Sequence, residues 1–292
     1  MKLSCADFTW PLLPHQDVLR LIHSLDIEGL DLGLFVERSH IRPEIIRRDI
    51  PMWAGILRER IRGAGLELAD VFVQNALDFE TMAPNNPDPS EREAGLRLFL
   101  DMLELARRLE APGMTILPGA RFGDEPWNDA ISRSAEGLKA RVDAAAAHGI
   151  QVSVEGHVGS CVDTPEKLAQ LVDLTPGLRL TLDYTHYAYA GIPDAEVEPL
   201  IPLARHFQAR GACRGKLQAK FGDNSIDYRR ILQRLQETGY AGFFAIEYVW
   251  TEWQNLNETD NVCETILMRD FVRATLAGEP FTAPAARAER LL

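Results

Sequence analysis

The sequence predicts one α/β domain, a (β/α)8 TIM barrel in which eight parallel strands are wrapped by helices. Two observations carry this. Short apolar, β-branched runs alternate with longer amphipathic stretches from one end of the chain to the other, which is the pattern of repeated βα units around a parallel sheet. The runs number eight, no linker separates them, and 292 residues hold one barrel of about 250 residues with extensions.

In chain order the strands fall at 2–8 (KLSCADF), 29–35 (GLDLGLF), 66–73 (LELADVFV), 113–119 (GMTILPG), 150–156 (IQVSVEG), 178–184 (LRLTLDY), 205–210 (RHFQAR) and 242–248 (GFFAIEY). Apolar residues at i, i+3, i+4 and i+7 mark helices at 15–25, 90–109, 135–149, 164–174, 227–239 and near 261–277. Thr164, followed by Pro165 and Glu166, reads as an N-cap with proline in the first turn, and Gly149 and Gly239 stop the helices before them. The Pro-rich stretch 83–90 (APNNPDPS) reads as a loop. The barrel is assigned to residues 1–278 and a loosely held tail, poor in apolar periodicity, to 279–292.

Composition narrows the function. Hydrophobic residues at 46% and charged residues at 25% are the balance of a soluble globular protein with a full core. A net charge of -12 repels a phosphate backbone or an anionic lipid surface, so neither nucleic acid nor membrane is an expected partner. Asp7 interrupts the start where a secretory signal needs an apolar run, and no stretch approaches the roughly 18 apolar residues of a membrane span; a cytoplasmic protein is expected. Cys5, Cys161, Cys213 and Cys263 form no CxxC pair and read as reduced, mostly buried thiols.

In a parallel barrel chemistry gathers at the C-terminal strand ends, where a polar side chain has no packing purpose. Four successive strands each supply one: Glu155, Asp183, Gln208 and Glu247. Neighbouring strands lie about 4.8 Å apart, close enough for all four to reach one ion with ligand bonds of about 2 Å. Three carboxylates this close, without a cation, would raise one another's pKa and be costly to bury. The donor set is all oxygen, which points to Mn2+, with Mg2+ or Co2+ as substitutes. The competing reading is that each acid pairs separately with an arginine at the mouth. His206, on the same face as Gln208 and two residues deeper, reads as a core or supporting histidine.

At these residues the chain resembles the xylose isomerase-like barrel superfamily, in particular the sugar phosphate isomerase/epimerase group that includes ketose 3-epimerases and inosose-processing enzymes. The likeness rests on the acid in VEGH, on DYTH, on HFQARGA and on the acid in AIEY, and spans roughly residues 3–275. It implies that Glu155 and Glu247 bind the metal and flank the substrate carbon, that Asp183 is a ligand, and that His186 touches a substrate oxygen. Such families usually place a histidine ligand where this chain has Gln208. That departure leaves three outcomes open: the amide oxygen holds the metal, holds it more weakly, or selects a different ion. The stretches VEGHVGSCVDTPE, HFQARGA, NSIDY and EYVWTEWQNLNETDN are also similar to catalytic subunits of bacterial C-glycoside deglycosidases, which act on 3-oxo-glycosides with a small β-sandwich partner.

Two reactions share a first half. A metal chelated by a sugar carbonyl and its neighbouring hydroxyl stabilises the enediolate left when Glu155 or Glu247 removes the adjacent proton. Reprotonation gives isomerisation or epimerisation. Loss of a β-substituent gives a lyase and needs an acid, for which His157, two residues beyond Glu155, is the candidate. Arg210 is placed to hold a substrate oxygen or to balance the acids, and Trp10, with Phe8, Trp250 and Trp253, to stack on a sugar or aglycone. The expected partner is a small sugar or keto-glycoside. The expected assembly is a homo-oligomer or, on the narrower likeness, a hetero-oligomer with a small β-sandwich subunit.

Overall fold

A computed structural model of the chain describes residues 1–283. Strands β1 (Lys2–Ala6), β2 (Gly29–Phe35), β3 (Glu67–Gln74), β4 (Gly113–Ile116), β5 (Gln151–Glu155), β6 (Arg179–Asp183), β7 (Ala204–Ala209) and β8 (Phe243–Ile246) pair in that order. Every pairing is parallel, and β8 closes the barrel on β1. Strand starts agree with the sequence to within a residue, whereas most strands end sooner, because the chain leaves the sheet as it reaches the mouth.

Helices α1 (His15–Ser24), α2 (Pro43–Ile46), α3 (Ile50–Gly63), α4 (Pro89–Leu109), α5 (Trp127–Ala146), α6 (Pro165–Leu174), α7 (Thr185–Ala190), α8 (Asp194–Val197), α9 (Tyr228–Glu237) and α10 (Asn261–Leu276) fill the connections. Five of them, α3, α4, α6, α9 and α10, are capped at their starts by side-chain oxygens. Thr164 accepts from Lys167 N at 3.4 Å and Asp88 from Ser90 N at 2.8 Å, while Asp227 accepts from Arg230 N at 3.0 Å; each such cap stabilises its helix by about 1 kcal/mol. Gly149 and Gly239, at φ +70° and +71°, occupy the left-handed region that ends a helix without a Cβ clash. Helical faces such as Val18, Leu19 and Ile22 of α1 and Ile231, Leu232 and Leu235 of α9 are buried against the outside of the sheet. That annulus is the main apolar core.

The floor of the barrel interior is different, and it is polar. Asp70 and Arg205 pair at 2.7 Å, Arg205 also donates to Ser153 at 2.7 Å, and the Thr115 hydroxyl reaches Asp70 and Thr181 at 2.5 and 2.6 Å. His206 meets Asp31 at 2.6 Å, both nearly inaccessible. A register shift between Leu180 and Thr181 of β6, as they pair with Ala204 and His206, marks a bulge in β7. The extra residue lets Arg205 and His206, adjacent in sequence, both turn inward.

Phe281, within the stretch assigned to the tail, packs on Phe221 and Phe271 with ring centroids 5.5 and 5.6 Å away; the rest of the expected tail, 284–292, lies outside the described residues. Cys5 and Cys161 are buried, Cys213 is half-buried and Cys263 is exposed, all as free thiols. No helix among the described residues is long and apolar enough to cross a membrane.

Candidate metal and active site

Register places the four strand-end residues on one side of the sheet. Glu155 pairs with Thr181, two residues before Asp183; Asp183 pairs with Gln208; and Gln208 pairs with Ala245, two residues before Glu247. Side chains two apart share a face, so all four turn into the barrel at its C-terminal mouth. Each is buried, Gln208 completely.

Their contacts are unequal. An oxygen of Glu155, an oxygen of Asp183 and a nitrogen of His186 lie within 4.8 Å of one another. Glu247 stands apart from that cluster because the Arg210 guanidinium lies between: one Nη donates to Glu247 Oε2 at 3.0 Å and the other sits 3.3 Å from Asp183 Oδ2. The backbone of Arg210 is fixed by Tyr228, whose hydroxyl donates to its carbonyl at 2.7 Å. The guanidinium read from the sequence as a substrate contact or a balance for the acids therefore does balance two of them, while still lining the cavity.

Burial pushes the Glu247 carboxyl well above the usual carboxylate range, and Glu155, Asp183 and Asp31 push the same way against Arg210. Burial also raises Glu155, but the hydrogen bond from His186 and the positive groups around it outweigh that and hold it low. Three buried carboxylates face one buried guanidinium, and Asp183 Oδ2, Gln208 Oε1 and Gln208 Nε2 have no hydrogen-bond partner. Unpaired buried polar atoms and uncompensated charge are both costly, and an oxygen-seeking cation at this point relieves them together. The residues present fit a divalent ion.

The two histidines are oriented by their neighbours. Val158 N–H donates to His186 Nδ1 at 3.0 Å, which fixes the proton of the neutral ring on Nε2, 3.1 Å from Glu155 Oε1. His186 thus presents a donor to the site rather than a ligand lone pair. His157 Nδ1 lies 2.9 Å from the Val158 carbonyl and donates to it, so the unpartnered Nε2 offers an acceptor to the cavity. Burial pushes the His157 imidazole down to about 4 against the pull of Glu155. Its ring packs against Phe79, centroids 4.3 Å apart and planes tilted by 45°.

These residues open on a cavity of 470 Å³ with two unlike walls. Glu155, His157, His186, Arg210 and Glu247 form the polar one; Phe8, Phe35, Phe72 and Leu117 form the other. Gly33 permits the second wall, since a Cβ there would come within 2.5 Å of the Phe8 ring. Trp250 and Trp253 stand half-exposed at the rim. Trp10 does not line the cavity: it packs on the apolar core outside the barrel, because the chain turns at Asp7–Thr9 and leaves Phe8 as the inward aromatic. Arg38, Gln74 and Phe79 also line it and were not singled out from the sequence. A signal existed for part of this: β2 ends on Phe35 as the first strand ends near Phe8, so aromatic strand ends in the first half mirror polar ones in the second.

An uncharacterized protein of Methanocaldococcus jannaschii is 25% identical over 207 residues, covering 66% of this chain and 68% of that one. A solved D-tagatose 3-epimerase-like protein superposes with a TM-score of 0.74 at 20% identity, over 95% of this chain and 99% of its own. The D-psicose 3-epimerase of Clostridium cellulolyticum H10, solved with D-tagatose, does so with a TM-score of 0.75 at 16% identity, over 94% and 99%. At these identities the likeness of the solved structures is one of fold. The family model for the xylose isomerase-like TIM barrel matches residues 13–268, and the chain belongs to that family.

Proposed function

We propose that the chain is a divalent-metal-dependent isomerase or epimerase that removes the proton beside the carbonyl of a keto-sugar. The observation that carries this is the set of buried oxygen donors at the barrel mouth: Glu155 and Asp183 close together, the unpaired amide of Gln208 on the neighbouring strand, and Glu247 beyond Arg210. These four would hold the ion, and hard oxygen donors suit Mn2+, with Mg2+ or Co2+ as substitutes. Once bound, the ion supplies Lewis acidity to the substrate's carbonyl oxygen. Glu155 and Glu247, reaching the cavity from β5 and β8, are the bases for the two faces of the substrate carbon. His186 donates its Nε2 proton to a substrate oxygen, which releases Glu155 from that bond. Arg210 opposes the effect of burial on Glu247 without overcoming it, and a bound cation would supply the further positive charge that holds this group as a carboxylate. Of the solved structures it resembles, one is named a D-psicose 3-epimerase and another a D-tagatose 3-epimerase-like protein, in keeping with this chemistry.

A second reading, elimination from a 3-oxo-glycoside by this chain in a hetero-oligomer with a small β-sandwich subunit, draws on the half-exposed Trp250 and Trp253, which suit an aglycone. His157 speaks against it. The acid this route needs would be a ring whose open nitrogen accepts and whose proton is tied to Val158. The epimerase reading therefore stands first, with a ketose or a keto-glycoside as substrate.

The test is turnover of a ketose panel by protein loaded with Mn2+, Mg2+ or Co2+, with metal content measured in parallel. Glu155→Gln and Glu247→Gln are each expected to lower kcat by about 100- to 10,000-fold. Full turnover by both variants would defeat the proposal; aglycone release from an oxidised glycoside would decide for the lyase.

A further inference from the structure

Beside the aromatic side of the cavity, and within electrostatic reach of Glu247, lies a cation that the reaction above does not use. Just past β2, Glu37 takes a left-handed φ of 62° and Arg38 N bonds back to the Phe35 carbonyl at 3.2 Å. This turn lays the Arg38 guanidinium over the Phe35 ring, 4.8 Å from its centroid. One Nη donates to Gln74 Oε1 at 2.5 Å, at the end of β3. Gln74 is the sole side-chain hydrogen-bond partner of Arg38 among the described residues, and the side chain is open to the cavity it lines. The remaining N–H groups form a planar fork, held flat by the ring beneath and steadied from one side by an amide.

A planar fork matches a carboxylate through two parallel charge-assisted bonds. Asp78 and Glu80 share this rim, and their charge disfavours a dianion such as a phosphate ester far more than a single carboxylate. We propose that Arg38, held by Phe35 and Gln74, determines specificity by binding a carboxylate at the end of the substrate remote from the reacting carbon, which makes the substrate class an acidic keto-sugar. The assignment rests on the reading of the acidic wall as a keto-sugar site.

The test compares D-fructuronate, D-fructose and D-fructose 6-phosphate, which share one ketose skeleton and differ at C6, by calorimetric binding to the Mn2+-loaded protein and by turnover. D-Fructuronate is expected to bind about ten-fold more tightly than D-fructose, the worth of a charge-assisted hydrogen bond. Arg38→Gln is expected to remove that preference and Arg38→Lys to keep part of it. Equal binding of D-fructuronate and D-fructose, no binding of either, a preference that survives Arg38→Gln, or tighter binding of the phosphate ester would each overturn it. The two claims separate cleanly: an Arg38-dependent carboxylate preference without proton abstraction sinks the reaction and keeps Arg38, whereas turnover of D-fructose without that preference does the reverse.

Discussion

Gln208 holds both ends of its amide in a fully buried position with no partner, an arrangement that costs stability until something else binds there. In metal-free protein, Gln208→Met, which keeps the shape and removes the polar atoms, is expected to gain about 1 to 2 kcal/mol. The stabilisation that Mn2+ gives the wild type should shrink in the same variant. Urea unfolding with chelator and with Mn2+ reads both, and a variant that loses metal-free stability while responding fully to Mn2+ contradicts the assignment. His157 makes a separate prediction. Its folded pKa is about 4 against an ordinary 6.5, so between those values the unfolded chain takes up a proton that the folded chain does not. Its contribution to stability is intact above about pH 6.5 and is lost as pH falls toward 4, by on the order of 3 kcal/mol in all. Metal-free His157→Gln should show a shallower acid limb than the wild type over that window; parallel curves would mean the histidine is protonated in the folded state.

At the level of elements, β5 to β8 were legible because each ends an apolar run on a polar residue, and the period of two then fixes the face. The β7 bulge was not. Nothing in RHFQAR distinguishes a regular strand, in which Arg205 would point outward, from the bulged one in which it reaches Asp70 across the barrel floor. The same limit hid the polar floor, since a lone Asp or Thr inside a strand reads as an outward residue until the register is known. This pair is buried, with Arg205 side-chain exposure of 8% and Asp70 of 0%, so removing one partner strands the other. Asp70→Ala is expected to cost about 3 to 5 kcal/mol, whereas Asp70→Leu combined with Arg205→Met should cost less than the single change. A fully additive double variant in chemical denaturation would show that the two residues do not act as a pair.

For the whole molecule, closure of the barrel converts residues spread from Phe8 to Trp253 into one cavity with an acidic wall and an aromatic wall. The acidic wall was readable from strand ends alone. Bringing Arg38 and Phe79 to the other side, beside Gln74 at the end of β3, depends on how the loops after β2 and β3 fold back, which local pattern does not encode; the same applies to Trp10, displaced by a single turn after β1. The separation of Glu247 from Glu155 and Asp183 by Arg210 is likewise a property of the assembled mouth. The central claim is that this mouth, loaded with a divalent ion, takes the proton from the carbon beside a ketone. Proton NMR of a ketose incubated with the Mn2+-loaded protein in D2O tests it most directly. The account predicts loss of the signal from hydrogen on that carbon as deuterium enters, abolished by chelator and by Glu155→Gln or Glu247→Gln. Washed-in deuterium that is indifferent to chelator and to both substitutions, or no exchange with any ketose or keto-glycoside supplied, would contradict it.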